Sequence, residues 1–104
     1  MDQKLTMVRG DTASFGLEIQ GLDQDLSSAY LTVRDGFEGQ ILLQKSLNDG
    51  ISKIETGQYV IRIAPEDTEN AQAGEYYYDF EIGANGDIFT VLRGILVIEH
   101  DVTY

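Results

Sequence analysis

The sequence predicts an all-β protein, an antiparallel two-layer sandwich of about seven strands with one short helical turn. Three observations predict it. Apolar runs are short and broken by Gly, Asp and Asn clusters at intervals of roughly 8–12 residues. The stretch AGEYYYDFEI (73–82) alternates with period two, placing Tyr76, Tyr78, Phe80 and Ile82 on one side and Tyr77, Asp79 and Glu81 on the other. The Asn85-Gly86 dipeptide then sits between two alternating runs, where a tight hairpin needs positive φ.

Taken in order, the strands are KLTMV (4–8), then, after the turn RGDT, ASFGLEI (13–19), in which Phe15, Leu17 and Ile19 alternate with Gly16 and Glu18. AYLTV (29–33) follows the polar loop QGLDQDLSS, and QILLQKS (40–46) follows DGFEG. GQYVIRI (57–63) follows NDGISKIET, which is not counted among the strands. EYYYDFEI (75–82) and the long DIFTVLRGILVIE (87–99) close the set. In APEDTENAQAG, Pro65 suits a first helical position, Glu66 and Asp67 suit the positive end of a helix, and Gly74 stops it, so one helical turn is expected there. The last strand is apolar on both faces, with Phe89, Val91, Ile95 and Val97 in one register and Ile88, Leu92, Leu96 and Ile98 in the other. A bulge at Gly94 is expected to swap faces midway.

Residues 1–104 form a single domain of ordinary size. The absence of cysteine excludes disulfides and thiolate metal sites. With 7 Lys+Arg against 18 Asp+Glu, the formal net charge is −11 and the pI about 4.1, which disfavours nucleic acid and anionic membrane as partners. No apolar run approaches the ~20 residues of a membrane helix, and MDQKLTMVRGD lacks the basic-then-apolar layout of a secretion signal.

In immunoglobulin-like sandwiches a tyrosine near the start of the penultimate strand bonds its hydroxyl to backbone just upstream. Gly74, Glu75, Tyr76 and Tyr78 fit that spacing. Tyr76 or Tyr78 is expected to form this corner, with Phe80 and Ile82 continuing the core. Tyr77 and Tyr30 then face outward on strands that pair side by side. The surplus apolar surface of the last strand makes their face the candidate docking surface, and a homo-oligomer one occupant of it. No catalytic, cofactor-binding or metal residues are assigned and an enzyme is not expected. His100 is the sole histidine, GxSxG, HExxH, GxGxxG and P-loop patterns do not occur, and a sandwich of this size has little room for a two-carboxylate cleft. The acidic residues Asp23, Asp25, Asp35, Glu38 and Asp49 lack calcium-loop spacing and read as solvated. The Arg9-Gly10-Asp11 tripeptide reads as turn chemistry.

Together, RGDTASFGLEI, DLSSAYLTVR, APEDTENAQAGEYYYDFEI and the glycine-interrupted GDIFTVLRGILVIEHDVT resemble small immunoglobulin-like phage and prophage structural proteins, similar to the N-terminal domain of the phage baseplate upper protein. The resemblance implies a non-catalytic virion module of a tail, baseplate or neck, docking to other phage structural proteins and assembled in the bacterial host cytoplasm. A carbohydrate- or surface-binding sandwich is the alternative, for which the positions of Phe37 and Tyr104 would matter.

Overall fold

A computed structural model of the protein describes residues 4–19, 25–36, 39–84 and 86–100. Asp23, Phe37, Glu38, Asn85 and residues 101–104 lie outside them. Among the described residues the chain is all-β, with eight strands and one short helix. In order these are β1 (Leu5–Val8), β2 (Ala13–Glu18), β3 (Ser28–Arg34), β4 (Ile41–Leu47), β5 (Gly50–Glu55), β6 (Gln58–Ile63), α1 (Pro65–Thr68), β7 (Gly74–Ala84) and β8 (Asp87–Glu99).

The strands are hydrogen-bonded in the order β1-β8-β7-β3-β4-β5-β6-β2. Between β4 and β5 the connection is thin, two parallel pairs only (Ser46↔Gly50, Leu47↔Ile51), formed as the chain reverses through Asn48 and Gly50, both at positive φ. The ladder folds there. β1-β8-β7-β3-β4 forms one layer and β5-β6-β2 the other, so the expected two-layer architecture is present, with β1 running parallel to β8 and most other neighbours antiparallel.

Alternation decides what lies between the layers. Tyr76, Tyr78, Phe80 and Ile82 of β7 are buried, as are Ala29, Leu31 and Val33 of β3. Tyr59, Ile61 and Ile63 of β6 face them from the other layer, and Phe80 is fully enclosed. The segment not counted among the strands, NDGISKIET, contains β5. Its apolar residues stand three apart, and only Ile51 is drawn into the core while Ile54 stays exposed, so no alternation announces the strand.

The bulge in β8 also falls elsewhere than expected. Gly94 pairs regularly with Tyr78, and the register shifts where Phe80↔Leu92 gives way to Glu81↔Thr90, leaving Val91 as the extra residue. Gly94 needs no special backbone and keeps its place in the ladder, whereas the shift turns Phe89 to the side of Ile82 and Ile88 to the side of Gly83.

The helical turn is tied down locally. Asp67 Oδ2 accepts from the Ala64 amide at 2.7 Å and pairs with Lys45 Nζ at 2.7 Å. Thr68 is fully buried, and its Oγ1 accepts from the Gly10 amide at 2.9 Å, fastening the β1–β2 turn to α1.

Candidate functional site

The expected core residues occupy the start and middle of β7. Tyr76 donates its hydroxyl to the Gln72 carbonyl at 2.7 Å, four residues upstream, while its ring lies 8% exposed against the core. This places a tyrosine corner at Tyr76, whose geometry satisfies a hydroxyl that ring burial would otherwise strand. Tyr78 and Phe80 sit deeper on the same face.

Tyr30 and Tyr77 lie on the opposite, outer face of the β4-β3-β7-β8 layer. Tyr30 is 41% exposed and Tyr77 half-buried. The register sets Tyr30 beside Glu81 and Arg34 beside Tyr77, so the two tyrosines share a face with the Thr32–Asp79 row between them. Two shallow grooves mark that face, about 420 and 340 Å³, with Thr32, Arg34 and Asp79 common to both.

The other candidates are dispersed. Arg9, Gly10 and Asp11 make a tight turn, with Gly10 at φ 80° and the Asp11 amide donating to Val8 O. Arg9 also donates to Ala71 O at 3.3 Å, so the tripeptide is built into the fold as a structural corner. Asp25 is exposed and accepts from Lys53 at 2.5 Å. Asp35 accepts from the Gln40 amide within its own loop. Among the described residues no group of three or more His, Cys, Asp and Glu is placed to hold a metal ion. No helix among them is long and apolar enough to cross a membrane. His100 is exposed just past β8. The hydrogen bond to Asp25 raises the Lys53 pKa above its ordinary value, away from the neutral range in which a lysine base would work.

One feature escaped the pattern of the sequence. β8 is paired with β7 along its length, but on its other side β1 meets only positions 96–99. Over residues 87–95 no described strand lies alongside. Here the large side chains Ile88 and Phe89 stand 68% and 51% exposed. Beside this uncovered edge the layers part, because β1 and β2, though consecutive, run in different layers and do not pair with each other. The seam opens into an apolar cleft of about 630 Å³. Leu5, Val91 and Leu92 line one wall, Phe15 and Leu17 of β2 the other, and Phe80 and Ile61 lie at its floor. No motif announces the cleft, and the only hint in the sequence was more apolar surface on the last strand than one core could bury.

No family model matches the chain, and no curated protein matches it. Among solved structures, the crystal structure of CopC from Methylosinus trichosporium OB3b is similar, with a TM-score of 0.59 over 97% of this chain and 88% of that chain at 12% identity. At that identity the likeness is one of fold. It overturns the expected membership of a phage or prophage structural family. With that membership go the tail, baseplate or neck role, the virion location and the cytoplasmic assembly drawn from it. The physical reason lies in the motifs themselves. A glycine turn before β2, a tyrosine corner and alternating aromatics in β7 are demands of this two-layer architecture, so they report the architecture and not a lineage. The residues on which the carbohydrate- or surface-binding alternative turned, Phe37 and Tyr104, lie outside the described residues.

Proposed function

We propose that the protein is a non-catalytic binding module that takes an extended segment of a partner polypeptide as an added strand along residues 87–95 of β8. The observation that carries this reading is the side of β8 away from β7, where no described strand flanks residues 87–95 and the apolar stretch opens onto an apolar cleft. Strand addition uses these two features together: free backbone groups give affinity, and alternate side chains dropping into a cleft give register. An open, long, hydrophobic edge is a hazard that proteins ordinarily blunt. The bulge at Val91 blunts it in part, and the cleft restricts which segments fit. The net charge of −11 favours a segment with basic or neutral outward residues.

The test uses a fluorescein-labelled octapeptide alternating valine with lysine or threonine. Its anisotropy should rise on titration with the protein, and amide exchange should slow over residues 87–95. An isocharged peptide interrupted by proline should not bind. Ile88→Lys combined with Phe89→Lys should abolish binding, while Ile54→Lys, at an equally exposed isoleucine on the other layer, should leave it intact. Protection appearing elsewhere, or equal binding of the proline peptide, would defeat the reading. Uptake of a small apolar dye into the cleft with no backbone protection would point instead to a small-molecule site.

A further inference from the structure

We propose that the outer face of β4-β3-β7-β8 is a self-association surface whose occupant is a second copy of this chain. The inference is independent of the cleft, which opens on the inner side of the same layer.

The pairing register builds this face row by row. Thr32, Asp79 and Arg93 stand abreast on β3, β7 and β8, the next row holds Arg34, Tyr77 and Ile95, and Tyr30 stands beside Glu81 on the other flank. Thr32 points outward yet is only 9% exposed, because Gln44 donates to its Oγ1 at 3.0 Å and the longer side chains around it overhang. Arg34 is steadied from the side, its Nη1 donating to Gly39 O at 3.0 Å. The face is therefore sculpted into ridges and grooves.

Charge selects the occupant. Two copies carrying −11 each repel one another over most approaches. Around the two grooves Arg34 and Arg93 are matched by Asp79 and Glu81, so charge balances at the centre of this face, while Glu75 and Glu99 at its β1 end and the rest of the surface are acidic. An isologous contact turns the same patch on itself, which brings the arginines of one copy against the carboxylates of the other. Tyrosine and arginine are the residue types enriched in such contacts. Size permits it: the molecule measures 45 × 27 × 19 Å, and a standard interface covers about 800 Å² per partner.

A charge-swap experiment tests this on the full chain. Arg34→Glu with Arg93→Glu makes the centre of the face wholly acidic, and Asp79→Lys with Glu81→Lys makes that centre wholly basic. By sedimentation velocity and native mass spectrometry the wild type should dimerise. Each swapped protein alone should be monomeric, and their equimolar mixture should form a mixed dimer. Tyr77→Glu, a single change that leaves the core side chains in place, should weaken the wild-type dimer by about tenfold or more. Phe89→Lys alone, a change on the inner side of β8 beside Ile82, should dimerise like wild type. A wild type that stays monomeric at its highest soluble concentration would overturn the proposal. So would a mixture that forms no mixed dimer, or a dimer lost on changing the β8 edge and kept in Tyr77→Glu.

Discussion

Replacing Tyr76 with phenylalanine removes one oxygen and leaves the ring in place. In the native protein that oxygen donates to the Gln72 carbonyl at 2.7 Å, bridging the segment after α1 to the start of β7. A net intramolecular hydrogen bond contributes about 1 kcal/mol. Gln72 is exposed, so water replaces the lost partner and no large penalty for a stranded acceptor is added. The expected loss is thus about 1 kcal/mol, equivalent to a fall in Tm of roughly 4–8 °C for a domain of this size. Tyr76→Ala also removes a ring that is 8% exposed and should cost about 3–5 kcal/mol. Urea titrations followed by far-UV circular dichroism separate the two, provided the m-value is unchanged. A Tyr76→Phe protein as stable as wild type would show that the corner hydrogen bond contributes nothing. One as damaged as Tyr76→Ala would show that the hydroxyl organises far more than a single contact.

Three further perturbations probe the frame around the site. Phe80→Ala, at a fully enclosed position between the layers, should lose about 3–5 kcal/mol in denaturant titrations. Thr68→Val keeps the buried shape but leaves the Gly10 amide without its acceptor, at a cost of about 1–3 kcal/mol, whereas Thr68→Ser should restore most of it; differential scanning calorimetry of the pair checks this. Gly86→Ala places a side chain at φ 81° where it would meet no other atom, so the expected loss of about 1–2 kcal/mol in the same scans is backbone strain alone.

The local devices were legible because they depend on near neighbours in the chain. Pro65 with Glu66 and Asp67 announced the one helical turn, but the turn ends at Thr68, and Gly74, the expected stop, opens β7 instead. The alternation from Tyr76 to Ile82 gave the buried face of β7 residue by residue. β5 was not legible: Ile51 and Ile54 break the period, and its strand exists because β6 pairs with it. The candidate site was still less so. Its cleft is made by strands distant in the sequence, and the surplus apolar surface of the last strand pointed to an uncovered region without saying where.

By itself the sequence determined the all-β class, the aromatic inner face of β7 and the turns, because side-chain alternation and the φ tolerance of glycine are properties of a few consecutive residues. The tertiary structure decided which apolar residues meet water. Ile88 and Ile98 share the same parity along β8, yet one is 68% exposed and the other 1%. Between them lies the Val91 bulge, which reverses the faces, and β1 flanks only the last four residues of the strand, 96–99. Burial depends on what lies alongside, and what lies alongside is set by pairing between strands that the chain brings together from opposite ends.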